Sequence, residues 1–157
     1  MMNLADISAQ NAANIRIFAW WGSVMVLKIL ACVLIIGRWR WGKGIFITPE
    51  DAQFVKMAII PKAKVVHDDP DVERSRRAHL NDLENILPWA ISTALWLTTS
   101  PDTATVALLI KVFSIARIIH TIVYAVIVVP QPARFLSFLI AYLIIVYQSA
   151  ATIYYYS

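Results

Sequence analysis

Charge and cysteine are what this chain of 157 residues has little of. Asp, Glu, Lys and Arg make up 15% of it, against roughly 25% in soluble domains, while 59% is hydrophobic and mean hydropathy is +0.63. That balance excludes an ordinary soluble domain. It predicts an all-α integral membrane protein of one domain, 1–157, long enough for four spans, with membrane lipid as its surroundings. The single Cys32 excludes an intrachain disulfide and any multi-cysteine metal site, and its apolar neighbours make it a small buried hydrophobe. His67, His79 and His120 have no CxxC or HExxH spacing around them, so no metal is expected. A net charge of +4 would fit nucleic acid, but the basic residues flank apolar runs and form no extended tract, so no nucleic-acid partner is expected. No internal repeat or pair of broken helices points to a transporter.

What is present is a set of apolar segments separated by polar punctuation. Met1–Asn14 is polar and lacks the basic n-region and small-residue cleavage site of a removable signal peptide. The run from Ile15 to about Ile36 can cross a hydrocarbon core of ~30 Å at ~1.5 Å per residue, and the first helix is placed over about 15–40. Lys28, near its middle, needs a partner inside the bundle or must snorkel. Arg38, Trp39, Arg40, Trp41 and Lys43 alternate cations with indoles, as where a helix leaves the bilayer, which makes this end and the loop at about 41–69 cytosolic. Thr48-Pro49-Glu50-Asp51 predicts the start of a short interfacial helix. Asp69-Pro70 starts the second long helix, over 70–97, with Pro88 expected to kink it. Ser100–Thr103, free of Lys and Arg, fits the opposite side. The third helix is placed over about 101–129, ending at Pro130-Gln131-Pro132, and the fourth over about 133–155.

Three groups of residues stand out. Arg74, Arg77, Asn81, Glu84 and Pro88 fall within about 80° of one another on a helix turning ~100° per residue. Because that helix continues into apolar sequence, its polar stripe is expected to line a protected cavity; a solvated helix leading into a span is the alternative. Arg117, His120, Thr121 and Tyr124 share a face of the third helix. Arg117 lies deep in an apolar run and needs a partner, with Glu84 and Asp82 the candidates; a structural ion pair and a ligand contact both fit it. For His120 and Tyr124 the alternative to a ligand contact is an interhelical hydrogen bond. Arg134 stands at the start of the fourth helix, against the dipole preference for anions there. Two positive ends meeting in one place suit an anion, although a membrane anchor explains a single Arg equally.

The segments VERSRRAHLNDLENILP, ARIIHTIVYA, PQPARFLSF and FITPED resemble the corresponding segments of the microsomal glutathione transferase and prostaglandin E synthase branch of the membrane-associated proteins in eicosanoid and glutathione metabolism. The likeness runs in order from about Arg40 to Tyr142. It implies a four-helix protomer of a homotrimer in the endoplasmic reticulum or outer mitochondrial membrane, with glutathione bound between subunits near the cytosolic face. Position by position it assigns glutathione contacts to Arg77, Asn81, Glu84, His120, Tyr124 and Arg134, and to an Arg40 supplied by a neighbouring subunit. Glutathione's two carboxylates, ammonium and thiol match that charge pattern. Leu80, Phe135 and Phe138 depart from the prostaglandin synthase pattern, so the chain looks more like a transferase than an isomerase. Ala52 replaces the reactive cysteine that follows Pro-Glu-Asp in some transferases.

The expected chemistry is formation of a thiolate beside Arg134, the catalytic candidate, and its attack on a lipophilic electrophile. The same thiolate would serve in reducing lipid hydroperoxides. A non-catalytic lipid-binding or scaffold member is the competing reading, and retention of all three polar groups argues against it.

Overall fold

The computed structural model describes residues 4–157; Met1–Asn3, the start of the polar leader, lie outside the described residues. Among these, four long helices carry the chain: α1 (Leu4–Lys43), α3 (Pro70–Leu97), α4 (Thr103–Thr121) and α5 (Ala133–Tyr156). The connection from α1 to α3 holds the strand β1 (Ile45–Phe46), the short helix α2 (Pro49–Ala58) and the strand β2 (Lys64–Val65). Apart from these two-residue strands the architecture is all-α. Each of α1 and α5 packs against both α3 and α4.

The helix starts follow from local chemistry. Thr48 caps α2, its hydroxyl accepting from the Asp51 N–H at 3.3 Å, with Pro49 at the first helical position. Asp69 caps α3 by accepting from the N–H groups of Asp71 at 3.1 Å and Val72 at 3.2 Å, and Pro70 follows. In both, the side-chain oxygen satisfies donors that the first turn leaves without partners. At the end of α1, Gly44 takes φ +64, the left-handed conformation that ends helices cheaply when no Cβ is present. The parallel pair β1 and β2, with Ile45 opposite Lys64 and Phe46 opposite Val65, then ties the connecting segment together over a small core of Phe46, Ala52, Val55 and Ala63.

The main core is built around Trp89, which stacks on Phe113 with centroids 4.4 Å apart and planes 7° apart, and meets Phe18 edge-on at 5.7 Å. Met25, Ile86, Val106, Ile110 and Ala141 fill the space around it. Among the described residues, three helices are long and apolar enough to cross a membrane: Asp6–Lys43, Thr103–Val126 and Ala133–Tyr156. In α3 a charged first half runs into an apolar second half, and the helix continues through Pro88 to Leu97. The hydrogen bond that proline forfeits therefore does not end it.

Two boundaries differ from expectation. The first helix begins at Leu4, well before Ile15, because its polar first turns have tertiary work: Gln10 donates to the carbonyls of Ser100 and Pro101, at 3.1 and 2.9 Å, and Asn14 to that of Pro101 at 2.8 Å. The third helix is α-helical to Thr121 and then widens into a π-helical turn, Ile122–Val126, closed by the bond from Ile127 N–H to the Ile122 carbonyl at 2.8 Å. Arg38 of α1 donates to the Ala125 carbonyl at the end of that turn, at 3.1 Å.

Candidate functional site

The basic residues gather at the end of the bundle where α1 finishes, α3 starts, α4 finishes and α5 starts. Lys43 joins α1 to α3 there, its ammonium 2.9 and 2.8 Å from the two Asp69 oxygens and 2.6 Å from Asp71. The bond to Lys43 is the main reason the Asp69 carboxyl lies below its ordinary range.

Three turns further along α3 is a third aspartate, Asp82, fully buried. Asp82 is paired with Arg117 of α4 through one oxygen and with Lys28 of α1 through the other. The second oxygen also accepts from the Thr121 hydroxyl at 2.9 Å and the Cys32 thiol at 3.4 Å. The two cations that had to find partners in the apolar interior thus share one carboxylate. Between the two partners considered for Arg117, the structure selects Asp82, while Glu84 is exposed.

Next to that cluster a cavity of about 320 Å³ opens, lined by Asn81, His120, Tyr124, Gln131, Arg134 and Phe138, with Phe135 at its wall. Three elements bring these side chains together. His120 ends the regular part of α4, and Tyr124 lies inside the π-helical turn, where its ring meets that of His120 edge-on at 5.5 Å. Arg134, in the first turn of α5, lays its guanidinium over the Tyr124 ring at 4.6 Å, a cation–π contact that holds the charge against this wall. The Arg134 Nε and the His120 Nδ1 are buried without a hydrogen-bond partner among the described residues. Buried polar atoms are normally paired, so such atoms beside a cavity point to a ligand. Gln131 was not singled out from sequence. Its side-chain oxygen accepts from the Phe135 N–H at 3.2 Å, and its place between two prolines one turn before Phe135 is the signal that would have found it.

The remaining candidates are not in this cavity. Arg77 and Glu84 are exposed on α3, Arg74 is half-buried, and Pro88 is exposed. The predicted stripe is therefore an open flank that reaches the cavity through Asn81. Arg40 lines another cavity, of about 620 Å³, between α1, α2 and α3, with Trp41, Asp51, Phe54, Arg76 and His79 among its walls. That face of α3 is about 150° away from Asn81 at ~100° per residue.

The MAPEG family matches residues 18–154, a span holding every candidate residue. The chain belongs to the MAPEG family. This MAPEG protein is 38% identical over 125 residues to microsomal glutathione S-transferase 1 of Homo sapiens, covering 80% of this chain and 79% of the relative. It is 35% identical over 125 residues to the protein of that name from Rattus norvegicus, with the same coverage. Prostaglandin E synthase of Equus caballus is 32% identical over 128 residues, covering 78% of this chain and 74% of the relative.

Proposed function

We propose that this MAPEG protein is a membrane glutathione transferase, which binds glutathione at the basic end of its bundle, ionises the thiol and delivers the thiolate to lipophilic electrophiles in the bilayer. The observation that carries this reading is the convergence of Asn81, His120, Tyr124 and Arg134 from α3, α4, the π-helical turn and α5 on one cavity. Similarity to transferases over most of the chain supports it as well.

The charge pattern suits the ligand. Arg77 and Arg134 would take carboxylates or the sulfur, Glu84 the ammonium, and Asn81, His120 and Tyr124 the polar backbone. A free thiol with pKa near ~8.5 is a few per cent ionised at neutral pH. Lowering it by two units takes about 2.7 kcal/mol of differential stabilisation. A charge pair at ~4 Å in an effective dielectric near 20 interacts by roughly 4 kcal/mol, so one cation suffices and no metal is required. Arg134, pinned to Tyr124, is the residue assigned that task.

The oligomer proposed is a homotrimer of four-span protomers, with α3 as the fourth crossing. Arg40 faces away from its own protomer's cavity, and Arg77 and Glu84 lie open on the flank of α3; a neighbour's α1 laid against that flank would bring its Arg40 to the glutathione. The basic end is assigned to the cytosol by its Lys and Arg content. The membrane proposed is the endoplasmic reticulum, in keeping with the microsomal relatives. Phe135 and Phe138 beside Arg134 support conjugation over a prostaglandin E synthase-like isomerisation, since they place apolar rings where a polar product would need partners.

Thiolate absorbance in the ultraviolet tests the assignment. With glutathione bound, the wild type should titrate near neutral pH, Arg134→Leu should titrate higher, and Arg134→Lys should recover part of the shift, as a cation without the planar fork. Failure of the wild type to bind glutathione would overturn the function. An Arg134→Leu protein that keeps the wild-type titration and loses affinity would make Arg134 a carboxylate clamp and return the sulfur to Arg77 or Tyr124.

A further inference from the structure

Asn81 lines the cavity on one side and is gripped from the protein interior on the other. The Arg117 Nη2 that pairs with Asp82 also donates to the Asn81 side-chain oxygen, at 3.0 Å. A guanidinium has five N–H donors, no acceptor, and stays charged at any pH a protein tolerates. The atom of Asn81 facing it must therefore be the carbonyl oxygen, and the choice between oxygen and nitrogen that an amide usually leaves open is made here by its neighbour. One Asp82 oxygen pairs with this same Nη2, and the other is shared among Lys28, Thr121 and Cys32.

We propose that Arg117, though fully buried, is a positioning residue that fixes Asn81 as a hydrogen-bond donor toward the cavity and so requires an acceptor, a carboxylate or a peptide carbonyl, on the part of glutathione that lies there. The inference rests on the reading of this cavity as the glutathione site. Its consequence is selectivity: with the carbonyl oxygen held from behind, the amide turns its N–H to the ligand, which favours an acceptor of glutathione there over the ammonium. The charged cluster in the bundle interior then has a second role beyond holding helices together. The chain Lys28, Asp82, Arg117, Asn81 passes from α1 through α3 and α4 to the wall of the site, and each member restricts the next.

A double-mutant cycle, read by calorimetric glutathione affinity on the full-length protein in lipid nanodiscs, tests this. Arg117→Lys keeps a cation opposite Asp82 but lacks the fork needed to hold Asp82 and Asn81 together. It should weaken glutathione binding about tenfold with Asn81 present, the scale of one well-placed hydrogen bond, and add nothing in an Asn81→Ala background. An equal loss in both backgrounds overturns the proposal, since a merely structural Arg117 acts regardless of Asn81. Should Arg117→Lys fail to fold, Asn81→Asp decides. It keeps the acceptor for Arg117 and places a second acceptor toward the ligand, so it should bind glutathione more weakly than Asn81→Ala. Affinity equal to or above that of Asn81→Ala overturns the proposal. A wild type that binds no glutathione removes the site reading and this inference together, whereas binding without coupling removes this inference alone.

Discussion

Asp82 and Asn81 are adjacent on α3 and serve groups of side chains organised in contrary ways. Around Asp82 both carboxylate oxygens are engaged, and the four donors come from α1 and α4, although the Arg117 Nε and Nη1 are buried without a hydrogen-bond partner among the described residues. Around the cavity wall that begins with Asn81, polar atoms of His120 and Arg134 are buried and unspent. A buried carboxylate engaged on both oxygens holds elements together, whereas unspent polar atoms beside open volume await a ligand. Two neighbouring positions on one helix thus separate what folds the protein from what it is proposed to bind.

The contrast breaks most severely at Asp82. Replacing it by Ala leaves Lys28 and Arg117 as two buried cations without their carboxylate, a loss of about 3 to 5 kcal/mol for a broken buried pair. That is a large part of the stability of a typical domain. Asp82→Ala should yield little folded protein, seen as loss of the monodisperse peak in size-exclusion chromatography and a collapsed melting temperature. A variant that folds and melts like the wild type would show that the cluster is not what holds α1, α3 and α4 together.

On the ligand side the effects should reverse. Arg77→Ala and Glu84→Ala remove exposed side chains, so the melting temperature should hardly move. Glutathione affinity should fall about tenfold or more for each, in line with the loss of a charge-assisted hydrogen bond. Calorimetry on assembled mutants measures this, and unchanged affinity in both would take the flank of α3 out of the site and favour a solvated helix.

The smallest effect belongs to the surface aspartate. Asp69, held below its ordinary pKa of 3.8 chiefly by Lys43, contributes stability that is in place above pH 3.8 and is lost as pH falls through its lowered value. The gap in melting temperature between wild type and Asp69→Asn should therefore be flat across neutral pH and narrow on acidification below 3.8. A gap that persists in acid would assign it to capping geometry, which Asn preserves, and not to charge.

What the sequence made legible was mostly local. Thr48-Pro49 and Asp69-Pro70 carry their capping atoms within three residues of the N–H groups they serve, so those starts could be read directly. Lys28 and Arg117 announced a need for partners because a charge in an apolar run is expensive, but the answer lay across the bundle and could be narrowed only to two acids. The polar turns before Ile15 were misread because hydropathy finds where a helix meets lipid, not where it begins; Gln10 and Asn14 reveal their purpose only beside Pro101. Gln148 gave no signal at all. It is fully buried, and its side-chain oxygen accepts from Thr93 at 3.0 Å and Ser92 at 3.3 Å, yet a lone amide in an apolar run has no spacing to betray it. The π-helical turn was likewise invisible to a reading based on 3.6 residues per turn. Of the candidate site, His120 and Tyr124 share a face as their spacing suggested and Arg134 joins them from α5, while Arg40 lines a separate cavity.

The bonds from Asn14 to the Pro101 carbonyl and from Arg38 to the Ala125 carbonyl each join residues 87 positions apart. The two fasteners are therefore equally spaced on α1 and on the α4 segment, roughly 36 Å by the α-helical rise, and they work as a gauge. Sliding one helix along the other by a single turn would release both at once, and deleting one residue between them on either helix would leave one fastener out of reach. In a bilayer thinner or thicker than its preference, this pair has no freedom to adjust by shear and must tilt as one body. The cavity at its far end would then keep its shape and change only its depth below the headgroups.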